Sequence, residues 1–233
     1  MISKEMNKNL SINGGIREAF NEARRQKALY GDENVYDLSI GNPSAPVPRK
    51  VTEVLKDFCG KKELDHQYMC ESGYEEVREK IADHLNQKYN TGYGINNIIM
   101  TNGVAGGINI VLRALLNPGD EVIIFRPYYP AYKGFVENWQ GKIVEVNPKE
   151  DFQPDFEDLE HKITIRTKVV IVNSPHNPTG VIYTKETATK ISEILKSKQK
   201  EYGHAICLLS DEPYRDLVYI EEKLPWWPRR YSP

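Results

Sequence analysis

The sequence predicts an α/β fold, a mainly parallel sheet with helices on both faces. Three observations carry that reading. From residue 97 onward, short apolar runs alternate with segments of helical period. The runs are apolar throughout rather than alternately apolar and polar, as strands covered on both faces are. Each run stops at small, polar or proline-containing residues, and in sheets of this kind ligands sit at the carboxyl ends of the strands.

The elements follow in order. "IREAFNEARRQKALYG", 16 to 31, predicts a helix that ends at a glycine. "VYDLSIGNPSAPVP", 35 to 48, predicts a short strand and then a proline-rich extended connector. The connector is a candidate boundary, with 1–47 as an N-terminal arm and 48–233 as the main domain. "YEEVREKIADHLNQKY", 74 to 89, places Val77, Ile81 and Leu85 on one stripe of an amphipathic surface helix. "NIIMT" then predicts a strand, "GVAGGINIVLRALL" a helix, "DEVIIFR" a strand, "YYPAYKGFVENW" a helix and "KIVEVN" a strand. After a polar stretch come "KVVIVNS" as a strand, "KETATKISEILKSKQKEY" as a helix and "ICLLSD" as a strand.

Bulk properties narrow the function. The 233 residues suit one large domain, or one domain with a smaller piece, and 39% apolar with 27% charged residues is ordinary for a globular protein. A net charge of −2 offers no basic excess to neutralise phosphates, so nucleic-acid and membrane-surface partners are not expected. Cys59, Cys70 and Cys207 form no C-x-x-C pair and no even-numbered disulfide framework. The polar N-terminus has no apolar signal core, and no apolar run reaches the ~20 residues of a membrane helix. A cytoplasmic protein is the expectation. The five histidines are scattered without ligand spacing, so no metal site is expected. His176 reads as a loop side chain directed to solvent, and Cys207 as a core residue.

Four strand ends carry chemistry. After "NIIMT", Gly103, Val104 and Ala105 open a helix whose free backbone N–H groups suit an anion; glycines allowing close helix–sheet packing would look the same. After "DEVIIFR", "PYYPAY" offers tyrosines that could stack on a flat ligand or simply pack. After "KVVIVN", Pro175, Pro178 and Gly180 surround Asn177, more rigidity than an Asx-turn requires. After "ICLLS", Asp211 ends an apolar strand, where a carboxylate is costly without a cationic partner, and Tyr214 follows three residues on. The four lie at the same edge of one inferred sheet and suit one ligand: a planar, cationic heterocycle carrying a phosphate.

"NSPHNPTG", followed by "SDEPYRDLVY" some thirty residues on, resembles the fold-type I, pyridoxal-phosphate-dependent class I/II aminotransferases. "LSIGNPSAPVP", "YMCESGYEEVREKIA" and "MTNGVAGGINIVLRALLNPGDEVIIFRPYYPAY" extend the resemblance, in the right order, over nearly the whole chain. It implies that Asp211 pairs with the pyridine nitrogen, that Asn177 and Tyr214 hydrogen-bond the ring's 3-oxygen, and that Tyr129 stacks on the ring. Gly103, Val104 and Ala105 would offer amides to the phosphate, Tyr68 would reach the phosphate of a neighbouring subunit in a homodimer, and Gly41 would lie near the substrate carboxylate. Residues 1–47 would be an arm and part of a small domain, and 48–233 the large cofactor-binding domain. The implied activity moves an amino group between an amino acid and a 2-oxo acid, in amino-acid metabolism.

The family's Schiff-base lysine belongs in a serine-rich turn a few tens of residues beyond the "DExY" motif. After Asp211 the only lysine is Lys223, without S-x-S-K context, and it reads as a solvated loop residue. The chain therefore reads as truncated before that lysine, with a large domain incomplete at its C-terminus and two strands short between "NIIMT" and the rest of the sheet. Such a chain is expected to be inactive alone and prone to aggregate. A C–S lyase or cyclase of the same fold, or a lysine-free fragment that binds the cofactor noncovalently without catalysis, are the alternatives.

Overall fold

The computed structural model describes residues 2, 7, 14–41, 43, 45–61, 68–221 and 224–231. By backbone contact the chain divides into two compact units, Met1–Met69 and Cys70–Pro233. The first unit holds α1 (Gly14–Tyr30), which ends at Gly31 with φ +87°, and α2 (Arg49–Cys59). The expected strand in 35–40 is not formed: the segment is irregular, and among the described residues no ladder partner holds it. Its apolar residues Tyr36 and Leu38 are more than 90% exposed.

The second unit contains α3 (Glu75–Tyr89), α4 (Gly103–Leu115), β1 (Glu121–Phe125), α5 (Ala131–Glu137), β2 (Lys142–Val146), α6 (Phe156–Lys162), β3 (Thr167–Asn173), α7 (Lys185–Tyr202), β4 (Cys207–Asp211) and the short α8 (Trp227–Arg230). The strands form one parallel sheet in the order β2-β1-β3-β4.

Alternation along each strand divides the core in two. Ile123, Phe125, Val170 and Val172 face α6 and α7, meeting Leu159, Ile191 and Leu195. Val122, Ile124, Val169 and Ile171 face α4 and α5, meeting Ile108, Leu112, Tyr132 and Val136. Helices thus cover both faces, which is why the central strands β1 and β3 are apolar on both faces along most of their length. Leu112 is fully buried, and its truncation to alanine would cost about 2–5 kcal/mol. Local chemistry sets the helix ends: the Asp155 carboxylate accepts from the Glu157 and Asp158 amides to start α6, Thr184 Oγ1 accepts from the Thr187 amide to start α7, and Gly203 ends α7 at φ +72°.

Two further expectations are corrected. On α3 the stripe of Val77, Ile81 and Leu85 is only partly covered; the buried side chains are Ala82 and Arg78, whose guanidinium donates to the Gly73 and Ile95 carbonyls. "NIIMT" is not a strand. It runs extended without a ladder, and Ile99 and Met100 are 63% and 42% exposed. β4 likewise has no neighbour on its outer edge among the described residues. A cavity of about 870 Å³ runs along that edge, lined by β4 residues, the α3 side chains His84 and Leu85, and the aromatic group near Trp226 and Trp227. There Tyr89 stacks on Trp226 with ring centroids 4.1 Å apart, and the Arg215 guanidinium lies over both rings. Among the described residues no helix is long and apolar enough to cross a membrane.

Candidate functional site

The carboxyl ends of β1, β3 and β4 and the N-terminus of α4 converge on a cavity of about 230 Å³. Val104, Ala105, Tyr129, Asn173, Asn177, Asp211 and Tyr214 are among the residues that line it. Six of the residues singled out in the sequence therefore meet: Val104, Ala105, Tyr129, Asn177, Asp211 and Tyr214. Gly103 adjoins them as the first residue of α4. Gly41 and Tyr68 are carried by the first unit, where both are exposed, Tyr68 completely. Lys223 lies outside the described residues.

Asp211 is the electrostatic centre. It ends β4 with only 7% of its surface exposed. One carboxylate oxygen, Oδ2, accepts a short hydrogen bond from the Tyr132 hydroxyl. The other, Oδ1, is buried without a hydrogen-bond partner. Burial pushes the carboxyl upward from its ordinary value, and the Tyr132 bond opposes that rise. Burial and the adjacent Asp211 charge push the Tyr132 hydroxyl far upward, so it stays a donor. An orphaned buried carboxylate oxygen carries a penalty of about 1–3 kcal/mol or more that a donor from a ligand would relieve.

At α4 the Asn102 side chain makes no cap, so the first-turn amides are left to a ligand or to water. Gly103 adopts φ +73° and its own N–H turns back to the Thr101 carbonyl at 2.9 Å. The free first-turn donors are those of Val104 and Ala105, where the helix dipole favours an anion. Tyr129, 43% exposed, meets Tyr132 edge to face with centroids 5.7 Å apart, which orients its ring.

The Asn177 loop is closed by its own bonds. His176 N–H donates to the Val181 carbonyl and Gly180 N–H to the His176 carbonyl, while Tyr183 N–H donates to Ser174 Oγ. The Ser174–Pro175 and Asn177–Pro178 peptides are cis. His176 is not directed to solvent: it is 7% exposed, its ring packs 6.0 Å from that of Tyr183, and its Nδ1 pairs with Thr179 Oγ1. Burial lowers its pKa to about 4, so it is neutral near pH 7. Closure of the loop on itself and against Tyr183, which the sequence does not display, overrides the polar context that pointed it outward.

Sequence reasoning missed Tyr132 and Asn173. The signals were present. Tyr132 lies three residues after Tyr129 at a helix start, one helical turn from a ring already singled out. Asn173 ends β3 in register with Asp211 at the end of β4, two polar residues closing adjacent apolar strands.

A parallel sheet covered on both faces, with a half-satisfied buried carboxylate at its carboxyl edge beside uncapped helix amides, defines an α/β protein whose strand-end cavity suits a ligand bearing both a cation and an anion. The particular family follows from comparison. The model of the aminotransferase class I and II family matches residues 33–228, and the chain belongs to that family. It is 36% identical over 217 residues to the aspartate aminotransferase of Sulfolobus acidocaldarius, covering 90% of this chain and 52% of that enzyme. It is similar to the crystal structure of an aminotransferase from Eubacterium rectale, with 40% identity and a TM-score of 0.94 over 99% of this chain and 59% of that one. An alanine aminotransferase from Pyrococcus furiosus is 31% identical with a TM-score of 0.78. The chain spans about half the length of the relatives it matches.

Class I and II aminotransferases use pyridoxal phosphate, and the residues present fit it. Asp211 Oδ1 lacks a donor, as a protonated ring nitrogen would supply, and the Val104 and Ala105 amides have no side-chain cap, so a phosphate would supply their acceptor.

Proposed function

We propose that this chain supplies the cofactor-holding half of an aminotransferase that moves an amino group between an amino acid and a 2-oxo acid, with pyridoxal phosphate seated at the carboxyl edge of the sheet. The observation that carries the reading is Asp211: a buried carboxylate with one oxygen fixed by Tyr132 and the other left open toward the cavity. When bound, pyridoxal phosphate acts as the electron sink for chemistry at the carbon bearing the amino group. Asp211 would hold a proton on the ring nitrogen, Tyr129 would cover a ring face, and the Val104 and Ala105 amides would anchor the phosphate. Asn177 and Tyr214 would donate to the ring's oxygen.

Among the described residues no lysine lines the cavity, and that observation favours the second reading, a chain that by itself would hold the cofactor noncovalently without turnover. The fold does not choose between transfer and lyase chemistry. Relatives named for aspartate make it the first donor to assay, with a 2-oxo acid acceptor. The reading also carries a cytoplasmic homodimer, to which the fully exposed Tyr68 would contribute across the subunit boundary. The test is absorption titration of residues 1–233 with pyridoxal phosphate, followed by borohydride. Saturable binding with no reduced adduct supports the reading. Absence of binding by a folded chain overturns it.

A further inference from the structure

We propose that Asn173 is a positioning residue: its side-chain amide ties the Asn177 loop to the end of β4, so that Asn177 and Asp211 meet one cofactor in fixed register. The inference deepens the proposed function and rests on it.

Asn173 is 5% exposed and makes two hydrogen bonds of opposite sense. Its Nδ2 donates to the Asp211 main-chain carbonyl at 2.8 Å. Its Oδ1 accepts from the Asn177 main-chain N–H at 2.7 Å. A carbonyl can only accept and an N–H can only donate, so the amide has one possible orientation. Both partners are main-chain atoms of residues whose side chains line the cavity. The amide therefore bridges the backbones on which the two side chains are mounted.

The other bonds of the loop fix its shape or, in the bond from Gln153 Nε2 to the Ile182 carbonyl at 3.0 Å, tie its far limb to the segment before α6 rather than to β4. The His176–Val181 and Gly180–His176 bonds are internal to it, and the Ser174–Tyr183 bond closes its base. Among the described residues, the Asn173 side chain is the hydrogen-bonded link from the loop to the strand that carries Asp211. The residue type is demanding. Aspartate would accept from Asn177 but set a carboxylate against the Asp211 carbonyl. An apolar residue would leave a buried donor and a buried acceptor unpaired. A merely satisfied core asparagine would bind wherever partners were available. This one joins two parallel strand ends paired in register.

The experiment compares the full 233-residue chain with Asn173→Ala, Asn177→Ala and the double variant, by hydrogen exchange without cofactor and by pyridoxal phosphate titration. Asn173→Ala is expected to speed Asn177 amide exchange at least about tenfold and to weaken cofactor binding about tenfold, the size of one buried hydrogen bond. In the Asn177→Ala background, loss of Asn173 should weaken binding far less, because the side chain being placed is gone. Additive losses would mean a general structural role and overturn the proposal, as would unchanged Asn177 exchange in Asn173→Ala. If that variant does not fold, the parent decides: a protected Asn177 amide supports the clamp, and one that exchanges freely overturns it. A folded parent that binds no cofactor sinks the proposed function, while the exchange data still judge the clamp.

Discussion

Neutralising Asp211 should stabilise the chain and damage its function. In Asp211→Asn the side chain keeps its shape, Tyr132 can still donate to the remaining carbonyl oxygen, and the main-chain bond from Asn173 is untouched. What disappears is a buried negative charge with one oxygen unpartnered. Burial raises the folded-state pKa of Asp211 above its unfolded value. Its contribution to stability is therefore full below the unfolded pKa of about 3.9 and is lost as pH rises through the folded pKa. Above that folded pKa the parent bears the penalty and the variant does not. Denaturant unfolding without cofactor should show Asp211→Asn more stable by about 0.5–2 kcal/mol at pH 7, the usual gain from relieving a strained functional site. The gap should close as pH falls below 4. With pyridoxal phosphate the order reverses: losing one partner of a buried charge pair costs about 2 kcal/mol or more, so affinity should fall at least about thirtyfold. A variant destabilised equally at every pH would refute the desolvation argument. One that binds the cofactor as tightly as the parent would refute the pairing.

Other consequences can be measured on the same chain. His176 is held neutral with its pKa near 4, so the unfolded chain binds more protons between about pH 6.5 and 4, and up to about 3 kcal/mol of stability should be lost as pH falls through that window; His176→Gln should flatten this part of the unfolding profile. Gly103→Ala meets no neighbour within 4 Å, so its cost is that of the left-handed backbone at φ +73°, about 1–2 kcal/mol, with weaker phosphate binding as the α4 amides shift; an unchanged melting temperature would contradict this. The free outer edge of β4 and the exposed Ile99 and Met100 should make residues 1–233 self-associate in sedimentation experiments, and a clean monomer with a cooperative, high-temperature melt would contradict that.

The elements that were legible in the sequence are those whose evidence is local. β1, β3 and β4 are continuous apolar runs, and α7 begins at a threonine cap and ends at Gly203. The strand expected in 35–40 and that expected at "NIIMT" failed for one reason: a strand needs a partner, and partnership is not written in the strand's own residues. Residues 49–59 and 156–162 form helices that drew no notice because charged residues dominate them. At the site, Asp211, Asn177, Tyr129 and Tyr214 were visible as punctuation at strand ends. Tyr132 and Asn173 stand in the same strand-end segments, but their roles were not legible, because each acts through another residue: one on the Asp211 carboxylate, the other on two main-chain atoms. His176 was misjudged because its burial depends on Tyr183 and the closure of its own loop.

The most direct test of the central claim is magnetic resonance on pyridoxal phosphate carrying an isotope-labelled ring nitrogen, bound to the parent chain and to Asp211→Asn. If Asp211 Oδ1 receives the ring nitrogen, the label will report a protonated nitrogen near neutral pH in the parent and an unprotonated one in the variant. The same protonation state in both, with the cofactor bound, would contradict the placement of the cofactor against Asp211.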